Sequence, residues 1–168
     1  MLISIGRGVG AALCINDVII EGSSSTAGEI AHVVVDPNGP TCECGKRGCL
    51  ESLVSDDRLQ ERIAQDPASR TRILTEAGAL LGRVMAIPAG LLDLRDISIY
   101  GAPEIVNAQF IDAMEDEIRR TMTTDYQKAP QIHRCRQGED LILRGQATIV
   151  IRTLVPTIHE RGSLIGDA

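Results

Sequence analysis

One histidine, three cysteines and a terminal glutamate, Glu51, fall within the twenty residues His32 to Glu51, HVVVDPNGPTCECGKRGCLE. Cys42 and Cys44 are separated by one residue, Cys49 follows after four more, and His32 lies at the start of the segment. Zinc favours four thiolate or imidazole donors in a closed tetrahedron, and the spacing of this set suits such a site. Gly45 and Gly48 supply the conformational freedom needed to turn three sulfurs toward one ion. A disulfide within the set and simple buried thiols are the competing readings. A second stretch with chemical potential is Gly6, Gly8 and Gly10, which directly follows the apolar run Leu2 to Ile5. Backbone N–H groups in such a turn can cradle phosphate, although glycines between two strands also serve plain turn geometry. No helix pattern follows at once, so this is not the dinucleotide-binding fingerprint.

The elements that must position these residues are short strands followed by helices. Leu2 to Ile5, Ala11 to Ile15 and Val18 to Ile20 read as antiparallel strands joined by the glycine turn and an Asn16-Asp17 hairpin. Ser23 to Ala27 is a polar loop, and Val33 to Val35 is expected as a strand, with a bend at Gly28. Leu50 to Val54 opens a helical turn that includes Glu51. From about Ser69, the residues Ile73, Ala77, Leu80, Leu81, Val84, Ile87 and Leu91 recur at helical spacing, with a kink or break expected at Pro88. Gly78 and Gly82 on this helix would admit a close neighbour. Ile97 to Tyr100 reads as a strand, Phe110, Met114, Ile118 and Met122 as the core stripe of a second helix, Gln131 to Cys135 as a strand, and Leu141 to about Leu154 as a helix ended by Pro156. The expected fold is a mixed α/β domain.

The chain has 168 residues, 43% hydrophobic and 24% charged, which fits one globular domain and excludes a disordered segment. Aromatics are only 2%, so the core must be aliphatic. A net charge of −6 without a basic stripe argues against direct nucleic-acid binding. Five cysteines, an odd number with three clustered, point to a reducing compartment, and a cytoplasmic location is expected. No apolar run of the roughly 20 residues that span a bilayer stands out, so no membrane association is expected. Cys14 and Cys135 read as core thiols, and His133 and His159 as structural or surface residues.

The segments GRGVGAAL, AGEIAH and PNGPTCECGKRGCLES resemble the ROK family of sugar kinases and sugar-responsive repressors. The resemblance continues more weakly through the long helix, ISIYGAP and LRGQATIV. It implies a ribonuclease H-like, actin-like fold of two lobes, of which residues 1–168 look like the C-terminal lobe. In that family His32, Cys42, Cys44 and Cys49 match zinc ligands, while Glu29, His32 and Glu51 match positions that contact sugar hydroxyls. Taken alone, Glu29 and Glu51 would read as solvated surface acids. Two positions depart from the kinase pattern: Arg7 stands where threonine is usual in the phosphate turn, and Gly101-Ala102 replaces a glycine pair. The kinases' general-base aspartate is expected upstream of residue 1, and Asn16-Asp17 is not that pair. The resemblance therefore implies the sugar-sensing part of a transcriptional regulator, with a fragment of an ATP-dependent sugar kinase as the alternative. The implied partners are a sugar or sugar phosphate, a second copy in a homodimer or homotetramer, and DNA only through a domain outside this chain.

Overall fold

A computed structural model describes residues 1–122, 128–135 and 140–154. Residues 1–135 and 136–168 form two compact units. In the first unit, strands β1 (Leu2–Ile5) and β2 (Val9–Ala12) form an antiparallel pair across the glycine turn, and a small hairpin of β3 (Cys14–Ile15) and β4 (Val18–Ile19) follows. Asn16 and Asp17 both have positive φ, as a two-residue hairpin of this hand requires. Helices α1 (Glu51–Val54), α2 (Asp56–Gln65) and α3 (Arg70–Leu91) carry the chain to β5 (Asp96–Gly101), which lies parallel to β1. Helix α4 (Ala108–Thr121) returns it to β6 (Gln131–Arg134), parallel to β5. The sheet order is thus β2-β1-β5-β6.

The core is aliphatic, as the composition demands. Ile3, Ile5, Ile97 and Ile99 point from the sheet into a layer that contains Leu74, Leu81 and Met85 of α3 and Phe110, Met114 and Ile118 of α4, all almost fully buried. Alternation along β5 buries Ile97 and Ile99 while leaving Ser98 between them partly accessible, which is the period-two signature of a strand with one covered face. Helices α3 and α4 pack with their backbones close together. A Cβ at Gly78 would lie 2.1 Å from the Phe110 carbonyl oxygen, and one at Gly82 2.6 Å from that of Met114. The sequence-based role of those two glycines is met.

Four expectations need correction. Helix α3 does not break at Pro88 but runs on to Leu91; the missing donor falls in the last turn, where few bonds remain to be lost, and the Leu92 N–H bonds the Pro88 carbonyl. Ile87 and Leu91 are 72% and 80% exposed, because the buried row at this end of α3 is Met85, Ala86 and Ala89. Val33 to Val35 form no strand beyond a single bridge from Val34 to Cys49, and Cys14 is exposed rather than in the core. Helix α2, unanticipated from the sequence, is mainly polar, with Leu59 its one buried residue and Ile63, one turn on, packed against the core. The span Pro67–Leu91 is long and apolar enough by length and composition to cross a membrane, but half of its most apolar window is buried inside the fold.

In the second unit, α5 (Leu141–Leu154) forms where the helical pattern lies. Pro156 and His159 lie outside the described residues.

Candidate metal centre and adjoining cleft

Four side chains separated by up to 17 positions meet because the loop before α1 is laced by backbone hydrogen bonds. The Leu50 and Glu51 N–H groups donate to the Val33 and Ala31 carbonyls, both at 2.9 Å, which fixes His32 between them. The Val35 N–H donates to the Gly48 carbonyl at 2.8 Å, and the Gly48 N–H donates to that of Pro40 at 2.8 Å. A tight turn follows Cys42: the Gly45 N–H reaches the Cys42 carbonyl and the Cys42 N–H that of Lys46, with Gly45 at φ +88°. Gly48 has φ +66°, and a Cβ there would lie 1.5 Å from the Asp36 carbonyl oxygen, so no side chain fits.

The donor atoms of His32, Cys42, Cys44 and Cys49 all lie within 4.8 Å of one another. Cys42 Sγ is 3.5 Å from His32 Nδ1, and Cys44 Sγ is 3.6 Å from Cys49 Sγ. A tetrahedron with Zn–S of about 2.3 Å and Zn–N of about 2.0–2.1 Å has edges of about 3.8 Å between sulfurs and about 3.6 Å from sulfur to nitrogen. The observed separations match that size, and the donor chemistry suits zinc; this group could hold a metal ion. All five cysteines are free, so the disulfide reading fails in this structure.

The thiols are electrostatically unequal. The backbone hydrogen bond from Lys46 lowers the pKa of Cys44. Burial pushes the Cys49 thiol up to about 12, and its hydrogen bonds with Cys44 and Cys42 add to the shift. Cys44 therefore ionises more readily than Cys49, and the neighbouring sulfurs resist charge on Cys49 until a cation arrives.

Glu51 opens α1 one residue beyond Leu50, and it lines a cleft of about 630 Å³ together with Arg7, Gly8, Thr41, Cys42 and Glu43. Its Oε2 accepts the Val9 N–H at 3.2 Å, across the turn between β1 and β2. The Asp56 N–H donates to the Gly6 carbonyl, which ties the same turn to the start of α2. Because Ile5 pairs with Gly101, this turn and the Gly101-Ala102 turn both sit at the carboxyl ends of parallel strands, where open α/β sheets bind ligands. Glu29 and His32 are exposed and do not line this cleft. His133 is a surface residue, 3.5 Å from Asp96.

Gly6, Gly8 and Gly10 adopt no positive φ, and the Gly6 N–H is taken by the Gly8 carbonyl. Their conformations are open to other residues. Sequence reading missed Ser55, Asp57 and Arg58, which line the cleft from the start of α2. The run Ser-Asp-Asp is a helix-start signal that could have exposed them.

The chain matches the ROK family over residues 1–152. It is similar to an N-acetylmannosamine kinase from Haemophilus influenzae, 27% identical over 118 residues, in a match that covers 61% of this chain and 39% of that kinase. Among solved structures it resembles a ROK family transcriptional regulator, a homologue of the E. coli Mlc protein, with a TM-score of 0.77 and 22% identity over 88% of this chain and 44% of the other. It also resembles a ROK family glucokinase from Streptomyces griseus, in complex with glucose and AMPPNP, with a TM-score of 0.74 and 20% identity over 88% of this chain and 59% of the other. The chain thus spans less than two thirds of the relatives it matches, and it shares its α/β fold with both regulators and kinases.

Proposed function

This chain belongs to the ROK family, and from that premise we propose that it is the C-terminal lobe of a sugar-responsive transcriptional regulator in which zinc shapes the sugar pocket. One observation carries the reading: the backbone bonds that fix His32 are made by Leu50 and Glu51, so the metal ligands and the cleft carboxylate share one frame. Zinc bound by His32, Cys42, Cys44 and Cys49 would close that loop and hold its shape. His32 turns Nδ1 toward Cys42, which leaves Nε2 to face a ligand hydroxyl in a set tautomer. Glu51 supplies a carboxylate acceptor inside the cleft, and Glu29 and the His32 ring, exposed outside it, would meet the sugar from its open side. DNA would be contacted through a further domain, and the working unit would be a homodimer or homotetramer.

A sugar kinase fragment is the second reading, and the similarity to an N-acetylmannosamine kinase favours it. Two features of the glycine turn weigh toward the regulator. Arg7 replaces the hydroxyl residue usual in the kinases, and the Val9 N–H is already spent on Glu51. The readings part on turnover: the regulator binds N-acetylmannosamine or glucose saturably and consumes no ATP. Phosphorylation of either sugar above a no-protein control, copurifying with the chain or with a longer protein containing it, would establish the kinase instead.

A further inference from the structure

We infer that Gly8 is a positioning residue for Glu51: the absent side chain at position 8 is the seat of the Glu51 carboxylate, which thereby clamps the turn between β1 and β2 to the start of α1. The inference rests on the reading that Glu51 takes a sugar hydroxyl, and it assigns the device that aims it. A glycine is normally kept for backbone freedom, but Gly8 is not among the positive-φ glycines. Nor is it kept by general crowding. A Cβ placed there meets a single atom within 4 Å, Glu51 Oε2 at 3.1 Å. That same oxygen accepts the Val9 N–H at 3.2 Å, so it cannot retreat without stretching a bond already near the limit of a hydrogen bond. Oε2 is therefore held by the turn, and Oε1 is the atom left to face the cleft. A glutamate side chain free to rotate would lose more entropy on binding than one already fixed.

The test is a double-mutant cycle in the full chain, with Gly8→Val, Glu51→Ala and the two combined. Amide hydrogen exchange of Val9 reports the clamp without any ligand. Gly8→Val is expected to lower Val9 protection at least tenfold with zinc content unchanged, and to lower affinity for whichever of N-acetylmannosamine and glucose the chain binds by at least tenfold. Gly8→Ala, which needs a shift of only a few tenths of an ångström, should lose about threefold. In the Glu51→Ala background, Gly8→Val should change Val9 protection no further. Protection within twofold of the parent in Gly8→Val, or additive losses in the cycle, would overturn the inference. A chain that binds neither sugar while Val9 follows the cycle supports the clamp and removes the sugar reading.

Discussion

Gly48→Ala is the sharpest perturbation of the thiol loop that leaves every metal ligand in place. Alanine at φ +66° costs about 1–2 kcal/mol on its own. Its Cβ would lie 1.5 Å from the Asp36 carbonyl oxygen and 2.4 Å from the carbonyl carbon, and backbone atoms cannot rotate aside as a side-chain tip can. The loop must open, which strains three backbone bonds: Val35 and Asp36 N–H to the Gly48 carbonyl, and Gly48 N–H to that of Pro40. At about 1 kcal/mol each, the total reaches roughly 4 kcal/mol. Because a structural metal site forms together with its loop, that cost is felt as zinc affinity, a loss approaching three orders of magnitude. Gly45→Ala is the matched comparison: φ is +88°, but nothing lies within 4 Å of the added Cβ. It should cost about 1–2 kcal/mol and lower affinity about five- to thirtyfold. Zinc competition against a chromophoric chelator reads both variants. Affinity of Gly48→Ala within fivefold of the parent, or equal damage from Gly45→Ala, would refute the reasoning.

Further tests bear on the metal set and on the packing that supports it. Zinc binding should release protons and weaken as pH falls, because the Cys49 thiol, raised to about 12 without metal, must ionise to ligate; calorimetry in buffers of different ionisation enthalpy measures the release. Cys44→Ser should lower zinc content, whereas Cys14→Ser, at an exposed position on β3, should leave it unchanged by elemental analysis. Glu117 is buried on α4 and accepts hydrogen bonds from Arg120 and Arg83, which lower its pKa from 4.5. Its contribution is therefore present above the unfolded carboxylate pKa and lost as pH falls through the lower folded value. Glu117→Gln should destabilise by about 1–3 kcal/mol at pH 7, the partners being exposed, and the difference should fade in denaturant titrations at acid pH. Gly78→Ala, driven against the Phe110 carbonyl, should destabilise by about 1–3 kcal/mol in thermal unfolding.

What the sequence shows is local, and what it hides is remote. The metal group is legible because ligand chemistry is written in residue type, and three of the four donors lie within eight positions. The Asn16-Asp17 hairpin and the Phe110, Met114 and Ile118 stripe are legible because a turn type and a helical period demand particular residues. Val33 to Val35 mislead for the same reason. Three valines suit a strand, but their backbone bonds go to Ile30, Gly48 and Leu50 instead of to a neighbouring strand. The bond from Val9 to Glu51 spans 42 positions, so no spacing announces it. Nor does the sequence show that Gly8 leaves space for a carboxylate rather than for a phosphate.

The central claim is that His32, Cys42, Cys44 and Cys49 hold one zinc ion that fixes the loop leading into Glu51. X-ray absorption at the zinc edge, on protein purified without added metal and quantified by elemental analysis, tests it most directly. The account predicts one zinc per chain, with three sulfurs at about 2.3 Å and one nitrogen at about 2.0–2.1 Å. Zinc well below one per chain, or a first shell of oxygens and nitrogens without sulfur, would contradict it.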